Sequence, residues 1–119
     1  MTRHRVVALC LDGVVAFDLT APAQAFGSAF DADGAPLYEF STCSVEGGEV
    51  RTTSGFGVGT QAGLEALEQA DTVVVPGYFA IFSPPPPRAT AALRDAAGRG
   101  ARALSVCTGA FALAHAGLL

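Results

Sequence analysis

The chain has no lysine, two histidines and three cysteines, and no apolar run approaches the ~20 residues needed to cross a bilayer. Each shortage closes off a class of function. Its seven cationic side chains are all arginines, scattered along the chain, and its net charge is -4. No basic stripe is available to neutralise a phosphate backbone, so direct DNA binding by this chain is not expected. The opening, Met1 to Arg5, lacks the apolar stretch of a signal peptide, which places the protein in the cytoplasm and off the membrane. Cys10, Cys43 and Cys107 are odd in number and far apart, which suits neither a disulfide framework nor the paired spacing of a zinc site. Free thiols are expected, with no metal or cofactor. What is present is a chain of 119 residues, half of them hydrophobic and 15% charged. That is enough for one modest core and a single domain over 1–119.

The apolar runs have the length and composition of buried strands. Arg5 to Leu11 (RVVALCL) and Thr72 to Pro76 (TVVVP) are short, nearly continuous and rich in β-branched residues, as strands covered on both faces require. Ala101 to Val106 (ARALSV) predicts a further strand. Tyr38 to Val45 alternates apolar with polar residues, then Gly47-Gly48 marks a turn into Val50 to Thr53, a hairpin-like excursion. Helical spacing occupies Leu19 to Phe30, opening near Asp18 or Thr20, with Pro22 tolerated only in the first turn. Leu64 to Gln69 predicts a short helical segment. Pro84 to Pro87 predicts a stiff surface loop, Arg88 to Arg99 an Ala-rich helix stopped by Gly100, and Gly109 to Leu118 a last helix. Strands alternating with helices predict a doubly wound α/β domain with a parallel sheet of about four strands. That sheet is thin and looks incomplete on its C-terminal side, as in a truncated domain or one that completes itself as a homodimer.

In open parallel sheets, ligands bind beyond the carboxyl ends of the strands, which directs attention to Asp12 to Asp18, Gly77-Tyr78 and Cys107-Thr108-Gly109. Cys107 stands between a strand and a helix, where free backbone N–H groups and the positive end of the helix dipole can stabilise a thiolate. Gly109 permits the tight turn, and Thr108 brings a backbone donor beside the sulfur, as an oxyanion needs. The plain alternative is a small buried cysteine at a helix start. Asp18 is either an ordinary N-cap or a partner for Cys107, a carboxyl able to donate a hydrogen bond or shuttle a proton. No histidine can pair with the cysteine. His115 lies eight residues on, ~12 Å along a helix axis, and His4 precedes a strand ~20 Å long. Gly55 to Gly59 misses the spacing of a dinucleotide-binding loop, and Cys10 and Cys43, inside predicted strands, are assigned to packing.

These segments resemble a known family. RVVALCLDGVVAFDLTAPAQAFG is similar to the opening of ThiJ/PfpI-type domains, of the class I glutamine amidotransferase-like group, found in AraC-family transcription regulators. VVVPG at 73–77 resembles the strand leading to the oxyanion glycine, and SVCTGAFALAHAGLL at 105–119 the cysteine elbow shared with isocyanide hydratases. The resemblance implies a flavodoxin-like, usually dimeric fold, with Asp18 at the acidic position. In the regulators two helix-turn-helix units follow, which implies that this chain is a partial domain without the DNA-binding part or the Thr-His-Trp stretch. Tyr78 stands where many enzymes of the superfamily have a second glycine, and a side chain there would narrow the pocket. Backbone N–H groups at Gly77 and Tyr78 would still be able to bind an anion or a carbonyl group. The expected function is therefore a ligand-sensing and dimerisation domain for an unidentified small effector, without turnover. The alternatives are a hydratase-like enzyme with Cys107 as nucleophile, and a thiol-based redox or aldehyde-detoxifying protein.

Overall fold

The computed structural model describes residues 3–119; Met1 and Thr2, the first residues of the leading segment read above as too polar for a signal peptide, lie outside the described residues. Among the described residues six strands and three helices follow one another as β1 (His4–Leu9), α1 (Ala16–Gly27), β2 (Tyr38–Cys43), β3 (Gly48–Arg51), β4 (Gly57–Thr60), β5 (Thr72–Val75), α2 (Pro87–Gly98), β6 (Arg102–Ser105) and α3 (Ala110–His115). Two 3₁₀ segments, Leu64–Gln69 and Cys107–Gly109, precede β5 and α3.

The β-branched runs take the centre of a four-stranded parallel sheet ordered β2-β1-β5-β6. One face carries Val7, Leu9, Val73 and Val75 against Leu93 and Ala96 of α2 and Leu113 of α3. The other carries Val6, Ala8 and Val74 with Leu19 of α1. All the residues named here are at most 5% exposed. Burying a leucine- or valine-sized side chain is worth about 1.5–3 kcal/mol, so these short strands are held mainly by packing on both faces. The excursion after β2 is an antiparallel hairpin in which β3 pairs with β4. Its second strand falls on the glycine-rich segment, which sequence pattern did not identify as a strand.

Boundaries shift where tertiary contacts override local pattern. α1 opens at Ala16, three residues before the apolar spacing begins, because the Val15 N–H donates to the Gly77 carbonyl at 2.8 Å and anchors the chain there. Val15 is the N-cap, without a side-chain cap, so Asp18 is not the cap but a first-turn residue. Pro22 consequently sits inside the helix rather than in its opening turn. Having no N–H, it leaves the Asp18 carbonyl without its i+4 donor. Pro87 belongs to α2, at its first position, where proline's fixed φ suits a helix start. Among the described residues no helix is long and apolar enough to cross a membrane.

Candidate functional site

Three chain segments converge where β5 and β6 end. Cys107 has φ 52°, the sole non-glycine residue among those described with a positive φ. A cysteine in this region is strained by ~1–2 kcal/mol, and such strain persists where surrounding structure imposes it. The imposing element is Gly109. A Cβ there would overlap the Val75 carbonyl, so the turn presses directly on the end of β5, and the Val106 N–H also donates to the Val75 carbonyl at 3.0 Å. The chain therefore has to reverse over three residues, and Cys107 is lifted into solvent while Cys10 and Cys43 stay buried.

Thr108 ties this elbow to the loop after β5. Its hydroxyl accepts from the Tyr78 N–H and donates to the Tyr78 carbonyl, both at 3.1 Å. The Tyr78 amide is thus already engaged, and a ligand anion there would have to displace Thr108. Gly77 is crowded by side chains rather than set by φ. A Cβ on it would collide with Asp18 Oδ2 and stand 2.9 Å from Thr108 Oγ1. The carboxyl of α1 and the elbow therefore face the same backbone point. Asp18 is 8% exposed, and its Oδ2 is buried with no hydrogen-bond partner. Leaving a buried carboxyl oxygen unpaired is costly, so this atom is an unmet polar demand of the cluster.

The structure brings Asp18, Gly77, Tyr78, Thr108 and Gly109 into one cluster with Cys107 at its edge. Neither histidine joins it. His4 begins β1 at the opposite end of the sheet, with Nε2 2.8 Å from Thr72 Oγ1, and His115 is the last residue of α3. Burial pushes the Cys10 and Cys43 thiols up to about 12, which keeps them protonated and unreactive at neutral pH.

A feature with no local sequence signature lies beside the elbow. A cavity of about 360 Å³ opens beyond the ends of β1 and β2, walled by Leu11 and Asp12, by residues 44–47, by Glu49 and Val50 of β3, and by Tyr78 and Pro84 to Pro86. Neither Cys107 nor Asp18 lines it. Tyr78, whose side chain was expected to narrow the pocket at the elbow, is 4% exposed and contributes to the wall of this separate cavity. The stiff proline loop supplies the opposite side. Only the loop ends are visible in sequence; the enclosure comes from folding them together.

The parallel α/β sheet, the strained cysteine elbow and the buried carboxyl against Gly77 define the class of protein, and residues 4–119 match the model of the DJ-1/PfpI family. The chain belongs to that family. Over 119 residues it is 43% identical to an uncharacterized protein in the cpoL 5' region of Streptomyces lividans, covering 98% of this chain and 82% of the relative. It is 32% identical to the HTH-type transcriptional regulator GbdR of Pseudomonas aeruginosa over 93% of this chain, which is 30% of the regulator. A ThiJ/PfpI family protein from Pseudomonas syringae superposes with a TM-score of 0.82 at 21% identity, over 100% of this chain and 48% of that one. An AraC family transcriptional regulator from Pseudomonas putida gives 0.68 at 24%, over 98% and 62%. The chain thus spans about half to two-thirds of the solved structures and under a third of the regulator.

Proposed function

We propose that this chain is a small-molecule-sensing domain of an AraC-type transcription regulator, holding its effector against the elbow without turning it over. The observation that carries the reading is the buried, unpartnered Asp18 Oδ2 beside Gly77 and Thr108, a polar group awaiting a ligand. The alignment with the regulator GbdR over 93% of the chain supports the regulatory half. His4 and His115 both lie away from the rim, so the sensing reading assigns neither of them to the elbow. The test has two arms. Purified protein is assayed with isocyanides and small aldehydes, and no turnover is expected; turnover that disappears in Cys107→Ser overturns the sensor reading. Metabolite pools are then screened by thermal melting. A hit should raise Tm in the parent chain and leave Asp18→Ala unmoved, and an equal shift in both removes Asp18 from the site.

A second reading is favoured by the strain at Cys107. An exposed thiol held at φ 52° suits a nucleophile, with Asp18 passing protons and the Thr108 region supporting developing charge, or a sulfenic acid switch. Peroxide followed by mass spectrometry separates these roles: selective oxidation of Cys107 without turnover favours the redox switch.

A further inference from the structure

The cavity beyond β1 and β2 is chemically unlike the elbow. Three carboxylates border it, from Asp12, Glu46 and Glu49, and no arginine or histidine contributes to its wall. Glu46 is paired with Arg88, whereas neither Asp12 nor Glu49 is in an ion pair among the described residues. Exposed carboxylates alone would be a solvated surface. Tyr78 adds an independent observation: it is 4% exposed, it forms part of the wall, and its hydroxyl oxygen is buried with no hydrogen-bond partner. A buried hydroxyl normally has a partner, so this residue of the wall is one hydrogen bond short.

We propose that the cavity binds a protonated primary or secondary amine carrying an apolar chain. The carboxylates at its exposed mouth attract a cation and disfavour anions. The ammonium N–H donates to the Tyr78 oxygen, which a quaternary ammonium cannot do. The chain lies against Leu11, Val45, Val50 and the prolines, which give the cavity a mainly apolar lining inside its carboxylate border. A metal ion is a poorer occupant, because among the described residues no three His, Cys, Asp or Glu side chains are grouped to hold one. The volume, about 360 Å³, lies at the small end of the ~300–1,000 Å³ typical of such sites.

The site is distinct from the elbow, to which Tyr78 joins it through Thr108, and the experiment tells the two apart. Titration calorimetry on the 119-residue chain uses 2-phenylethylamine, its alcohol isostere 2-phenylethanol, and the trimethylated amine. The primary amine should bind at least tenfold more tightly than either analogue. Tyr78→Phe, which keeps the ring, and the exposed double variant Asp12→Asn/Glu49→Gln should each weaken it about fivefold or more. Cys107→Ser should leave it unchanged. Circular dichroism melts verify that each variant is folded. No amine binding, or equal binding of the alcohol, overturns the proposal. Equal binding of the trimethylated amine overturns the role of the hydroxyl, and a loss in Cys107→Ser with none in Tyr78→Phe moves the ligand to the elbow.

Discussion

Cys107 is held in a conformation that glycine would adopt without cost, and its side chain is exposed. Cys107→Gly is therefore expected to stabilise the fold by about 1 kcal/mol in urea unfolding, the strain released minus glycine's extra chain entropy. A loss instead would mean that the sulfur makes stabilising contacts. Gly109 is the opposite case, since any Cβ meets the Val75 carbonyl. Gly109→Ala should cost ~1–3 kcal/mol by overpacking and shift the elbow, measured as a lower denaturation midpoint together with a changed rate of Cys107 alkylation. Native protein should react with one equivalent of a thiol reagent near neutral pH and with three once unfolded, because Cys10 and Cys43 are at most 1% exposed. The place of the strand-to-helix turn was legible in the sequence, but its mechanics were not: Gly109 has an ordinary helical φ and serves close approach to Val75, while the positive φ falls on Cys107. The lack of a partner for Asp18 Oδ2 was not legible, since it depends on what surrounds a side chain rather than on what it is.

At the scale of elements, the strands were the most readable part, because buried parallel strands need β-branched runs and Val6 to Leu9 and Thr72 to Val75 supply them. α1 opens at Ala16, two to four residues before the Asp18 or Thr20 start that the pattern predicts, since its first turn contains the 76% exposed Phe17, which breaks the apolar spacing, and a hydrogen bond from Val15 to Gly77 decides its start. β4 was missed because Gly57 and Gly59 carry no strand propensity; its pairing with β3 defines it. The cavity was invisible for a related reason, being assembled from loops after three different strands. Thr108→Val tests the link between two of those elements. It removes both bonds to Tyr78 and leaves a buried N–H unpaired, which should cost ~1–3 kcal/mol and speed hydrogen exchange at the Tyr78 amide.

For the molecule as a whole, packing and protonation are linked through the two buried thiols, one beside each face of the sheet. Unfolded, they ionise near the ordinary 9.0; folded, burial defers this to about 12. Between those values the folded state holds more protons, so stability is complete below pH 9 and declines as pH rises toward 12, by up to ~1.4 kcal/mol per pH unit for each thiol. Unfolding midpoints followed from pH 8 to 11 should show this decline, and Cys43→Ala should flatten it; equal slopes would locate the alkaline sensitivity elsewhere. The sheet itself is unevenly covered. α1 shields β1 and β2, while Leu104 of β6, on the same face as Val74, is 40% exposed. Tyr78 spans the rim of this molecule in two senses, its ring in the cavity wall and its main chain gripped by Thr108. Filling the cavity would strain or relax that grip, so the chemical temper of an exposed sulfur becomes a gauge of what sits in a chamber it never touches.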